Sequence, residues 1–228
     1  MIDIERNQSV WWRHCGLCLF LCATAAWSQP SKPQSVVIDR AVASIEGRVI
    51  AFSQLEFEAR VLLVNAGGVN AAFAPLDQPV LESSLRAVID QRLALLEADK
   101  LEAYPLEQDE LEKAIAAFRG RFESELRFAQ FLQNHERDLN DLSEVLKRSL
   151  RAQRALEGKL RLRAQVTEPE LRAHKAEHPE LKDTPLEQVR SMLIQQKFGA
   201  LVRKELADQR KQVDVRLLGP FSPRPAGP

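Results

Sequence analysis

The alternation Val213, Val215, Leu217 near the C-terminal end constrains the fold more than any other feature of the chain. Alternate side chains of a strand point to opposite faces, so this spacing predicts a short strand. So short a strand needs partners. The only other β-rich stretch is at the opposite end, where Val36–Ile45 and Arg48–Ala51 flank Glu46-Gly47, a dipeptide suited to a tight hairpin turn. The two ends of the folded segment are therefore expected to meet in one sheet. Everything between them reads as helix. The expected fold class is mainly α, with a small β-sheet from an N-terminal hairpin and a C-terminal strand.

Helix starts carry local chemistry. Ser53 and Glu56 have the spacing of a capping box, and Phe52 and Phe57 that of a hydrophobic staple, so a helix is expected from there to about Asn65, stopped by Gly67-Gly68. After a loop through Ala71–Gln78, Leu81, Leu85, Val88, Leu95 and Leu96 share one face of a long helix that Pro105 should end. Leu111, Ile115, Phe118 and Phe122 make the next stripe, a shorter helix is expected over Glu123–Asn134, and Asp138–Asp141 should form a break. Leu142, Val145, Leu146, Gln153, Leu156 and Leu160 then line one helix face. Lys147, Arg148, Arg151, Arg154 and Arg161 occupy the other, which is expected to be a solvated surface.

Thr167-Glu168-Pro169-Glu170 opens a helix of about eleven residues that can bury little on its own. Thr184-Pro185-Leu186-Glu187 has the spacing of a third capping box, with Pro185 at the first helical position. In the helix it opens, Leu186, Val189, Leu193 and Ala200 form one stripe, and Ile194, Phe198 and Leu201 form another about 90° round. Two apolar faces predict a helix clasped by two neighbours.

The ends are of another kind. Cys15–Ala26 is apolar or small throughout and follows Arg6 and Arg13, so residues 1–28 are expected to be a secretory signal peptide cleaved after Ser28. That apolar run is shorter than the ~20 residues a spanning helix needs. All three cysteines fall in it, leaving an exported chain without thiol chemistry. Residues 29–35 read as a proline-rich linker, 36–218 as the folded segment and 219–228, with four prolines, as a disordered tail. Lys+Arg and Asp+Glu both number 32 of 228 residues, a balance that gives no basis for a nucleic-acid partner.

With these elements in hand, a family resemblance can be stated. The stretches VIDRAVASIEGRVIAFSQLEFEA, VIDQRLALLEADKL and VTEPELRAHKAEHPE resemble the N-terminal module of the SurA-type periplasmic chaperones. LEQVRSMLIQQKFGALVRKELADQRKQVDVRLL is similar to that family's C-terminal helix and closing strand. The resemblance spans about Val36 to Leu218 and implies a periplasmic protein that binds unfolded envelope or outer-membrane proteins. Family members carry parvulin-type prolyl isomerase domains between the short helix and the C-terminal one. Here that interval is Pro179-Glu180-Leu181-Lys182-Asp183, far below the ~40 residues at which independent domains begin to form. The resemblance therefore implies a chaperone without its catalytic domain.

The residues offer little other chemistry. His174 and His178 are i, i+4 with Glu170 and Glu177 nearby, but a zinc site wants a further ligand, so two exposed histidines are expected and no metal or cofactor. No nucleophile with a positioned base is apparent, and no catalytic residue is assigned. Phe118 and Phe122 are expected in the core, whereas Phe128 and Phe131 are the candidate client-binding residues. Two alternatives to a holding chaperone stay open: a prolyl isomerase, and an assembly subunit dedicated to one folded envelope partner.

Overall fold

A computed structural model describes residues 39–222. The expected signal peptide, the linker at 29–35 and the last residues of the expected tail lie outside them. Among the described residues the chain forms seven α-helices and one three-stranded antiparallel sheet, as the patterning predicts.

The sheet has the order β2-β1-β3, with β1 at Ala41–Ile45, β2 at Arg48–Ala51 and β3 at Val215–Leu217. Glu46 and Gly47 make the hairpin with φ of 49° and 77°, the left-handed conformation that a two-residue turn of this twist requires. Ala43 faces Leu217 and Ile45 faces Val215. The Glu46 N–H donates to the Asp214 carbonyl at 3.0 Å, and the Asp214 N–H donates to Glu46 Oε1 at 2.9 Å, so the turn itself clasps the C-terminal strand. The chain ends meet as expected. The tail is shorter than predicted, because Gly219–Phe221 forms a 3-10 turn and Phe221 is buried in the cluster that the sheet shares with Leu81, Leu85, Val88, Ile89 and Leu93.

Helix α1 (Phe52–Asn65) stops where Gly67, at φ 87°, lets the Gly68 N–H reach back to the Leu63 carbonyl at 2.8 Å. Its start differs from the capping-box expectation. The helix begins one residue before Ser53, whose N–H and hydroxyl both donate to the Asp39 carboxylate. Those bonds, with the hydroxyl bond foremost, hold Asp39 below its ordinary pKa. Glu56, left without a capping role, pairs with Arg60 at 2.8 Å.

Helix α2 (Gln78–Lys100) ends five residues before Pro105. Glu102 takes φ 49° and the Ala103 N–H bonds the Ala98 carbonyl at 2.8 Å, a reversal usually made by glycine. Helices α3 (Gln108–Arg119) and α4 (Glu125–Asn134) follow, with Phe122 in the turn between them. Helix α5 (Leu139–Leu160) is opened by a capping box of Asp138 and Asp141, so those residues begin the helix that they were expected to precede.

The basic face of α5 is solvated at Lys147 and Arg161 but not at Arg148, Arg151 and Arg154. Glu58 of α1 is only 2% exposed, and its Oε1 accepts from Arg92 of α2 at 2.7 Å and from Arg148 of α5 at 2.9 Å. Arg151 pairs with Asp99 at 2.8 Å, while Arg154 binds Glu110 and donates to the Pro105 carbonyl at 3.1 Å. Three arginines of one stripe thus fasten α5 to α1, α2 and the approach to α3. Beside them Ala94, Ala98, Ala152 and Ala155 form a buried patch between α2 and α5, whose small side chains permit close approach.

Helix α6 (Glu168–Glu177), a 3-10 turn at Pro179–Leu181 and helix α7 (Leu186–Gln212) complete the chain. The α7 start has no side-chain cap, because Pro185 is extended at the N-cap itself and the Thr184 box does not form. Lys175 instead holds the junction, donating to the Lys182 and Thr184 carbonyls, each at 3.0 Å.

Candidate client-binding surface

The candidate phenylalanines are core. Phe131 is 0% and Phe128 4% exposed, and with Phe57, Phe118 and Phe122 they form an aromatic cluster whose neighbouring ring centroids lie 5.3–6.4 Å apart. Guanidiniums close its rim: Arg119 lies 5.1 Å from the Phe128 ring centroid and Arg137 5.5 Å from that of Phe57. Side chains so enclosed have no surface to give a client, so the assignment of Phe128 and Phe131 to client binding is withdrawn. Phe118 and Phe122 are buried, as expected.

Exposed large apolar side chains are scattered among the described residues, Leu101, Leu126 and Leu162 being the most open, and two of them, Leu186 and Met192, lie on α7. Only one α7 side chain, Val189, is fully buried, although two stripes of the helix are apolar. Leu193, Ile194, Phe198 and Leu201 are partly exposed, and about half of Leu186 and of Met192 faces solvent. Helix α7 does meet the expected neighbours, α6 on its earlier part and α2 and α5 around Leu206, but Leu186 and Ala200 of the first stripe are exposed and the Ile194, Phe198 and Leu201 stripe is only partly covered. Single exposed apolar residues are ordinary on a protein surface; a run of them along one helix marks an interaction site.

The α6–α7 pair, here called the arm, is held by few buried groups. Leu171 of α6 and Val189 of α7 are fully buried, as are Leu160 and Ala164 just before α6. Leu206 of α7 adds a partly buried contact against α2 and α5, and polar contacts join the two helices to each other. The Thr167 hydroxyl accepts from the Glu170 N–H, and Glu170 accepts from the Thr167 N–H at 2.8 Å, which completes the expected capping box. Across the pair, Arg190 binds Glu168, and Lys197 bridges Glu170 and the Gln165 carbonyl at 3.0 and 2.9 Å. The Thr167 N–H, the Lys197 ammonium and the Thr167 hydroxyl together hold the Glu170 carboxyl down to about 2. Arg190 lowers Glu168 in the same sense.

Between the two helices runs a groove of about 540 Å³, with Ala173, His174 and His178 on one wall and Leu193 and Ala200 on the other. The two imidazoles stack with centroids 4.2 Å apart, and His178 Nδ1 lies 2.8 Å from Glu180. Among the described residues no group of three or more His, Cys, Asp or Glu side chains could hold a metal ion. A cleft of about 900 Å³ between α1 and α4 has polar walls, with Glu56, Arg60, His135 and Arg137 in its lining. His135 there is pushed below its usual pKa, mainly by burial. Such walls do not suit apolar chain segments.

Sequence reasoning missed Met192 and Leu186 as exposed positions. Leu186 belongs to the first apolar stripe of α7 and Met192 to neither, and periodicity cannot tell a covered stripe from an open one. Compared with known proteins, the chain matches no family model and no curated relative.

Proposed function

We propose that the chain is an exported, non-catalytic holding chaperone of the periplasm that binds unfolded envelope or outer-membrane proteins along the open side of α7. The observation that carries this reading is the stripe Ile194, Phe198 and Leu201, with Leu186 toward its start, which neighbouring elements leave partly exposed. The resemblance of the helices and closing strand to SurA-type chaperones supports it. Between α6 and α7 the chain passes through a single 3-10 turn, too short for an isomerase domain.

Holding of this kind relies on reversible binding and mass action. The test is light scattering from an unfolded outer-membrane protein diluted out of denaturant. The chain in several-fold excess is expected to suppress aggregation, and the double variant Ile194→Glu, Phe198→Glu to lose most of that effect while keeping its helical circular dichroism. No suppression by the parent protein would sink the proposal. Prolyl exchange in a proline-containing tetrapeptide is expected to stay at the buffer rate, and acceleration would restore the isomerase alternative.

A further inference from the structure

Away from α7, a pocket of about 340 Å³ opens between the hairpin, α2 and α5. Val49 and Ile50 of β2 and Leu95 and Leu96 of α2 give it apolar walls, and Arg92 and Arg148 enter its lining. We propose that this pocket binds a monocarboxylate whose apolar body is about the size of one large side chain. The proposal does not depend on the role given to α7.

Charge carries the argument. Four guanidiniums line the pocket, those of Arg48, Arg92, Arg148 and Arg151, against one carboxylate in the lining, Asp99, and one behind it, Glu58. Asp99 is held by Arg151, whose other donors reach the Ala103 and Tyr104 carbonyls. Arg92 and Arg148 must share a single oxygen of Glu58. The pair therefore keeps an excess positive charge, and burial, the largest influence on it, pulls the Arg92 pKa down despite Glu58.

One donor is left over. Arg148 directs Nη2 to Glu58, while its Nε is buried and has no acceptor. A buried donor without a partner is unfavourable, and with Nη2 held by Glu58 a carboxylate that enters as Arg148 turns toward the pocket gives Nε a charged acceptor. The apolar walls then choose among anions. Inorganic phosphate or sulfate would leave Val49, Leu95 and Leu96 against a charged surface, whereas a neutral apolar molecule would leave Arg148 unanswered. The volume lies at the low end of the roughly 300–1,000 Å³ typical of ligand pockets, which sets the size of the guest. Val49, 59% exposed, stands where that guest would enter and be covered.

Such a group is found on a free short-chain acid and at the C-terminal residue of a peptide. The experiment is an NMR titration of the nitrogen-labelled full chain with hexanoate, hexanamide, and a tripeptide ending in phenylalanine with its terminus free or amidated. Hexanoate or the free tripeptide is expected to shift the amides of Val49, Ile50 and Arg148 saturably, with the matching amide at least about tenfold weaker. Binding of the acid alone assigns a small-molecule ligand; binding of the free tripeptide alone assigns a peptide end. Arg148→Lys, which keeps the charge and removes Nε, is expected to weaken binding about tenfold. Because Arg148 also holds Glu58, Val49→Asp provides a second variant at an exposed position, with the same expected loss and an otherwise unchanged spectrum. Equal shifts by acid and amide, no saturable shift by either carboxylate, or undiminished binding to Val49→Asp would overturn the proposal.

Discussion

The aromatic body and the α6–α7 arm are built on different physics. In the body, five phenylalanines and their aliphatic neighbours are enclosed by four helices. In the arm, α6 and α7 each bury a single side chain fully, and partly buried Leu206, ion pairs and a capping box supply further contacts. Burial of apolar area is insensitive to pH and scales with the area removed from water, whereas exposed ion pairs contribute little each and weaken with salt or acid. A protein divided in this way can loosen one part while the other stays folded, as regions of low local stability do.

The sharpest test is to injure each half and see where the damage travels. Phe131→Ala is expected to cost about 3–5 kcal/mol in urea unfolding, through lost burial and the cavity left among the four remaining rings. Leu171→Ala should cost about 2–4 kcal/mol, but confined to the arm, so that amide exchange accelerates in α6 while α1–α4 keep their protection. Equal acceleration in both regions would break the comparison and make the molecule one cooperative unit. Thr167→Ala, which removes the hydroxyl from the capping box, should cost about 1 kcal/mol and show in the same α6 amides. The smallest expected effect is that of acid. Glu170 has its carboxyl lowered from an ordinary 4.5 to about 2, so its contribution is complete above about pH 4.5 and is lost as pH falls toward 2. Arm amides should therefore lose protection across that window ahead of body amides, and a simultaneous loss would count against the division.

How much of this could be read in the sequence depended on how local each interaction is. The Thr167 box, the Gly67 stop, the hairpin turn and the meeting of the two ends all follow from residue types at short spacing or from the scarcity of strand partners. The failures have distant causes. Ser53 does not cap α1 because Asp39, fourteen residues earlier, takes its donors. The α5 arginines read as a solvated stripe because their partners stand 44 to 90 residues upstream. Phe221 sits among prolines and glycine, a composition of disorder, yet it has a hydrophobic cluster to enter. At the candidate surface, the α7 stripes were legible and their degree of cover was not, since cover depends on how little α6 can offer. That poverty was itself in the sequence, as Leu171, Ala173 and Ala176.

The clasp between Glu46 and Asp214 joins residues 168 positions apart. Contacts of such separation are slow to form, since a long loop must close before they return any stabilisation. A chain made from its N-terminal end cannot complete this sheet until β3 has emerged: until then β1 is left with an unpaired edge, and its cluster lacks Phe221. The strand that closes the hairpin edge is thus made only after α1 to α7, and that edge stays open to other factors while those helices are synthesised.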